Sequence, residues 1–205
     1  VYYLGNDGVY AFDGSLPVCV SRAPGDKRYT GGVAGGESGR YWLSAVDAAA
    51  ETELLVYDTQ KRLWHRQDDT AAVAFARWNG EMTVLCSDGR LLDTSGTFGT
   101  AETGFSWSAE SGDLGLYTPE HKYLSRLELR LKTAAGSTVK AYVCYDGDNA
   151  WEQVGGVSGE AGQTRGAVLQ VRPRRCGHLR LKLAGDGPCR VYSAAAVYEK
   201  GSDGP

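Results

Sequence analysis

Short apolar runs bounded by turn chemistry recur along the first half of the chain, beginning at residues 2, 41 and 82. This repeat limits the possible folds more than any other feature. Tyr2 to Leu4, a turn at Asn6-Asp7-Gly8, Val9 to Phe12, a turn at Asp13-Gly14 and Leu16 to Ser21 read as a three-stranded meander. Tyr41 to Val46, Leu54 to Asp58 and Leu63 to His65 repeat the order. Met82 to Leu85, Arg90 to Asp93 and Phe105 to Trp107 repeat it again. Ala71 to Ala76 has the small residues of a crowded inner strand. Periodicity alone also admits a short helix there, but the following Asn79-Gly80 favours a type I′ hairpin into Met82 and so selects the strand. Gly31 to Gly39 gives no strand signal and is read as a loop.

Such a period, with three or four strands per unit, is the signature of β-propeller blades. A closed propeller needs at least four blades, and the chain supplies two nearly complete units and one partial. The region 1–110 is therefore expected to be incomplete at its N-terminus or capped by the second block of strands. After Gly112 the period disappears. Leu127, Leu129 and Leu131 alternate with Arg126, Glu128, Arg130 and Lys132, a strand with one wet face. Further strand runs at Ser137 to Tyr145, Trp151 to Val154, Gly166 to Val171, Leu179 to Leu183 and Arg190 to Tyr198 predict a jelly-roll-type β-sandwich over 111–200. Fraying is expected from Glu199, with a tail at 201–205. The fold class expected is all-β, with propeller-like antiparallel blades followed by that sandwich.

Composition agrees. Of 205 residues, 28 are Gly, 12 Tyr and 5 Trp, which suits many tight turns between short strands. A net charge of −3 supplies no overall field for nucleic acid or an anionic membrane, and no apolar run approaches the roughly 20 residues of a membrane span. Neither partner is expected. Five cysteines, at 19, 86, 144, 176 and 189, are odd in number and form no C-x-x-C pair, so a disulfide framework is not expected. Cys19, Cys86 and Cys144 sit inside strand runs as small apolar residues. Cys176, His178 and Cys189 lack zinc-ligand spacing.

No motif announces catalysis. G-x-S-x-G, P-loop, G-x-G-x-x-G and H-E-x-x-H patterns are absent, and the histidines lie apart at 65, 121 and 178. Asp7, Asp13, Asp58, Asp88 and Asp93 fall at strand ends and turns, where short carboxylates bond backbone N–H groups rather than forming the carboxylate pair of a glycosidase. Asp146-Gly147-Asp148-Asn149 has calcium-type oxygens but no distal bidentate Glu, and reads as a plain hairpin turn. No catalytic residue, metal or cofactor is expected.

Two binding features stand out. Arg172, Arg174, Arg175, His178, Arg180 and Lys182 form the one local concentration of positive charge, either a solvated strand face or a docking patch for carboxylate or phosphate. Trp151, with Tyr117 and Tyr145, offers flat rings for stacking on sugar, although large strand aromatics commonly belong to cores. The candidate binding residues are Arg172, Arg174, Arg175, Arg180 and Trp151.

Several segments together resemble the C-terminal part of a structural protein family of tailed phages and prophages of Gram-positive bacteria. They are Asn6 to Gly14, Val56 to Thr59 with Leu63 to His65, Phe105 to Glu110, Lys122 to Leu127, Arg172 to Cys176 and Gly201 to Asp203. The resemblance spans nearly the whole chain and implies a longer parent protein. It also implies a non-enzymatic virion structural or assembly role, with other virion proteins or further copies as partners, in a particle assembled in the bacterial cytoplasm. The alternative function is a carbohydrate-binding module of a surface or receptor-binding protein, with a glycan as partner.

Overall fold

The structure, a computed structural model, describes residues 1–22, 27–94, 104–116, 120–159 and 164–201. The chain divides into two compact units, Val1–Ala101 and Glu102–Pro205, and every regular element among the described residues is a strand. The first unit contains three antiparallel sheets. β1 (Tyr2–Gly5), β2 (Gly8–Ala11) and β3 (Val18–Cys19) form the expected meander. β4 (Tyr29–Glu37), β5 (Arg40–Asp47), β6 (Thr52–Asp58) and β7 (Leu63–Asp68) form a four-stranded sheet in chain order. β8 (Ala72–Trp78), β9 (Glu81–Cys86) and β10 (Leu91–Asp93) form the third. Successive meanders of this kind are propeller-like blades. The β8–β9 hairpin turns through Asn79 at φ 49° and Gly80 at φ 88°, the paired positive φ of a type I′ turn.

The middle of this unit is buried on both faces. On one, Tyr41, Leu43, Ala45, Leu55 and Tyr57 pack with Val9 and the half-buried Tyr2 and Trp64. On the other, Trp42, Leu54 and Val56 pack with Met82 and Phe75. Covering both faces removes the need for polar alternation, which is why Tyr41 to Val46 reads as a nearly unbroken apolar run. Trp64 stacks on Tyr57 with ring centroids 4.9 Å apart and donates its indole N–H to the Val20 carbonyl at 2.7 Å.

The Gly-rich stretch expected as a loop is strand β4. Its glycines answer a tertiary demand. A Cβ at Gly35 would lie 2.4 Å from Phe75 Cβ, and one at Gly32 would lie 2.9 Å from Leu43 Cδ1. The crowding anticipated for the Ala-rich strand therefore falls on β4, while most of β8 is exposed.

The second unit is a two-sheet sandwich. Its strands are β11 (Ser106–Glu110), β12 (Lys122–Thr133), β13 (Thr138–Tyr145), β14 (Glu152–Ser158), β15 (Thr164–Gln170), β16 (Arg175–Cys176), β17 (Leu179–Asp186) and β18 (Cys189–Lys200). One sheet runs β11-β17-β13-β14. In the other, β12 pairs with β15 and β16 and also with β18. Leu124, Leu127, Leu129 and Leu131 of β12 bury against Ala141, Val143 and Tyr145 of β13 and Leu179 and Leu183 of β17. A bulge between Leu124 and Arg126 shifts the phase, so the inward set passes from even to odd positions. Lys122, fully buried on the even set, donates from Nζ to the carbonyls of Gly115 at 2.8 Å and Gly177 at 2.5 Å.

Two boundary expectations change. Ser106–Glu110 belongs to the sandwich rather than to a third blade, because it pairs with β17 from Ser106↔Asp186 to Glu110↔Lys182. Trp107 also packs on the sandwich core and donates to the Gly187 carbonyl at 3.0 Å. At the other end, Glu199 and Lys200 pair with Tyr123 and Lys122 instead of fraying, and 202–205 lie outside the described residues.

Gly35→Ala is expected to destabilise the chain by about 1–3 kcal/mol through overpacking against Phe75. Gly31→Ala, whose Cβ meets nothing within 4 Å, should stay within about 0.5 kcal/mol of wild type. Urea unfolding of the two variants side by side checks this, and equal midpoints would refute the close-approach account.

Candidate functional site

The β13–β14 connection folds back over the outer face of its own sheet. Asp146 at φ 49°, Gly147 at φ 72° and Asn149 at φ 56° take left-handed backbone, which Asp, Asn and Gly tolerate best. Asp146 Oδ1 accepts the backbone N–H groups of Gly177 at 2.7 Å and His178 at 3.1 Å, tying the turn to the approach to β17. Asp148 Oδ1 accepts the Ala150 N–H at 3.0 Å. That bond, the Cys144 thiol and Arg174 hold its carboxyl below the usual carboxylate range. These carboxylates serve the backbone, as in a plain turn. Among the described residues no three His, Cys, Asp or Glu side chains are grouped to hold a metal ion.

Trp151 leaves this turn across the sheet. Its ring centroid lies 5.2 Å from Arg180 Cζ and 5.4 Å from Lys182 Nζ, two residues that share the outer face of β17. Both cations are anchored. Arg180 donates to Asn149 Oδ1 at 2.6 Å and to the Cys144 sulfur at 3.4 Å, and Lys182 pairs with Glu110 at 3.0 Å. Cys144 lies fully buried here with polar partners, not simply as an apolar filler. Arg174 joins the cluster from the side, reaching Glu152 at 3.1 Å and Asp148 at 3.4 Å with its guanidinium 5.2 Å from the Tyr145 ring centroid.

The basic run is therefore not one patch. Arg172 and Arg174 lie in irregular chain after β15, Arg175 is in β16, and Arg180 is in β17 of the opposite sheet. Arg175 comes within 3.4 Å of His121 Nδ1, well away in the pairing scheme from Arg180. Pro173 supplies no N–H to a ladder, so strand alternation cannot carry through the run. The structure joins Arg174, Arg180 and Trp151 around the turn and leaves Arg172 and Arg175 apart. Tyr145 is 1% exposed and belongs to the core, which removes it as a sugar platform, and Tyr117 lies outside the described residues.

A second feature has no counterpart among the sequence motifs. On the outer face of the other sheet, Arg130 stands between Gly166 of β15 and Ser193 of β18, and Glu128 between Val168 and Ala195. These six residues line an open trough of about 340 Å³. The alternation along β12 announced a charged face. The low walls beside it arise only from the pairing of strands roughly 40 and 65 positions away, and no local pattern encodes that register.

The first unit holds one dense ionic cluster. Lys27 Nζ lies 3.1 Å from both Asp47 and Glu53, Arg66 Nε is 3.3 Å from Glu53, and the Tyr29 hydroxyl donates to Glu53 at 2.7 Å. A hollow of about 300 Å³ opens beside it, bordered by Trp64 and His65. Burial pushes the Glu53 carboxyl up, but hydrogen bonds from Tyr29 and Lys27 and the charges of Lys27 and Arg66 outweigh it, and the net shift is downward. Asp47 is also lowered, first by the Glu51 N–H and then by Lys27. Both carboxyls are thus held ionised. A glycosidase pair requires one kept protonated as the acid, so this cluster has the electrostatics of a structural ion network.

No protein-family model and no curated protein sequence matches the chain. Among solved structures it is similar to an exo-β-1,3-galactanase from Phanerochaete chrysosporium with galactose, at 9% identity and a TM-score of 0.25, over 78% of this chain and 56% of that one. A glycoside hydrolase family 43 arabinoxylan arabinofuranohydrolase from Bacillus subtilis, in complex with cellotetraose, matches at 7% identity and a TM-score of 0.26, over 81% and 55%. The chain thus spans a little over half the length of these structures. These neighbours are a galactanase and an arabinofuranohydrolase, and the expected virion structural or assembly role is corrected on that finding.

Because the folded carboxyls of Asp47 and Glu53 are lowered, their contribution to stability is complete above the ordinary carboxylate values, near pH 4. It is lost as pH falls through the lower folded values. Glu53→Gln is expected to lower the urea midpoint at pH 7 and to differ less from wild type at pH 3. An equal difference at both values would show that the cluster does not act through charge.

Proposed function

We propose that the second unit is a carbohydrate-binding β-sandwich that takes a sugar ring on Trp151. The observation carrying this reading is the indole supported by Arg180 and Lys182 on the outer face of a sheet, at 5.2 and 5.4 Å. A pyranose offers an apolar C–H face and a rim of hydroxyls. A flat aromatic ring matches the face, and hydrogen-bonding groups at its edge match the rim. Lys182, with Asn149 and Glu110 that hold the two cations, supplies such groups beside the indole. The cations support the reading a second way. Each is already fixed by a partner, so little side-chain freedom remains to be lost on binding.

The proposal is for binding and not turnover. The Asp and Glu side chains around this face are occupied with Arg174, Lys182 and backbone donors. Loss of Trp151 should therefore remove affinity without exposing a latent activity.

A neutral glycan array followed by calorimetry on any hit tests the reading. Trp151→Ala is expected to weaken binding at least tenfold, Trp151→Phe to stay within a few-fold, and Arg172→Ala to change nothing. An array with no hit above background, or a hit indifferent to Trp151→Ala, overturns it.

A further inference from the structure

The outer face of the β12 sheet is cationic in a chain of net charge −3. Arg126, Arg130 and Lys132 stand on it from β12, with Arg190 of β18 directly opposite Lys132. The carboxylate among these cations is Glu128, which pairs with Arg126 at 2.9 Å, and Glu199 of β18 lies farther off, opposite Tyr123. The excess charge therefore rests on Arg130, Lys132 and Arg190. Consecutive outward positions on a strand are about 6.8 Å apart and neighbouring strands about 4.8 Å apart, so the three form a compact array.

Shape adds to charge. Gly166 and Ser193 beside Arg130 keep the walls low, and Val168 and Ala195 give the trough an apolar side. Farther along the same strand pair, Lys132 and Arg190 line a second hollow of about 540 Å³ with Ala134, Pro188 and Tyr192. A bulge opposite the Arg130–Leu131 step leaves Tyr192 as the extra residue of β18, and its ring centroid lies 5.9 Å from the Arg130 guanidinium. This contact braces Arg130 in the trough.

We infer that the trough binds a uronate-bearing polysaccharide, with carboxylates paired to Arg130, Lys132 and Arg190 and ring faces against Val168 and Ala195. Guanidinium matches carboxylate through two parallel hydrogen bonds. Alternating hydroxyl, apolar and cationic groups match a polymer whose rings alternate the same properties. A nucleic acid fits less well. Tyr192, at the end of the trough, is engaged with Arg130, so among the described residues no run of aromatic side chains offers stacking to successive bases, and Glu128 opposes a phosphate chain while accepting hydroxyl hydrogen bonds from sugar. The site lies on the sheet opposite Trp151 and does not rest on the sugar platform proposed there.

Affinity electrophoresis and calorimetry of the full chain with polygalacturonate test the inference, beside fully methyl-esterified polygalacturonate and a single-stranded oligonucleotide. Binding is expected for polygalacturonate alone, weakening with added salt. Arg130→Gln combined with Lys132→Gln should weaken it at least tenfold. Gly166→Leu should do the same with every charge in place, because a Cβ there meets nothing within 4 Å and the side chain fills the trough without disturbing the sheet. Either variant with an unchanged circular dichroism spectrum suffices. Trp151→Ala should leave this binding intact, which separates failure here from failure of the platform. Absence of polygalacturonate binding, survival of binding in both trough variants, loss in Trp151→Ala, or tighter oligonucleotide binding overturns the inference.

Discussion

The second unit depends on the two-sided character of β12. Leu127, Leu129 and Leu131 are at most 2% exposed, and burying each contributes about 1.5–3 kcal/mol relative to leaving it in water. Their outward neighbours Arg126, Glu128, Arg130 and Lys132 are charged, so a one-residue slip would place three cations in the core. The register of this strand is consequently fixed on one side by hydrophobic gain and on the other by desolvation cost. Both sheets of the sandwich are then located, and with them the two surfaces where ligands are proposed. The charged trough is the solvent side of the same alternation that builds the core.

The opposite sheet shows how a surface is made rigid without burial. The turn after β13 has its carboxylates satisfied by backbone N–H groups of Gly177, His178 and Ala150. It returns the chain so that Trp151 crosses toward β17. There Arg180 and Lys182 are each tethered to a partner before they meet the indole. A flat aromatic surface with fixed polar neighbours results from long-range strand pairing, since the residues involved come from three separate stretches of the chain.

The first unit solves a different problem. Its sheets press together closely enough that a single methyl group at Gly35 would collide with Phe75, while β5 and β6 are covered on both faces. Charge is confined to its rim, where Asp47 and Glu53 share Lys27 and remain ionised. Tight packing inside is thus combined with an ionic clasp outside.

The sequence by itself determined the all-β class, the successive meanders, the Asn79-Gly80 hairpin and the inward leucines of β12, because each follows from interactions between near neighbours or from a period of two. It also marked Arg180 and Trp151 as residues to watch. Tertiary structure alone decided that the Gly-rich stretch forms strand β4, where Gly35 is crowded by Phe75 some 40 positions away. It decided too that Ser106–Glu110 joins β17, that the basic run divides between two sheets, and that Arg130 stands in a trough walled by Gly166 and Ser193. In every one of these cases the deciding contact is distant in sequence, and local propensity carries no information about which distant strand will arrive.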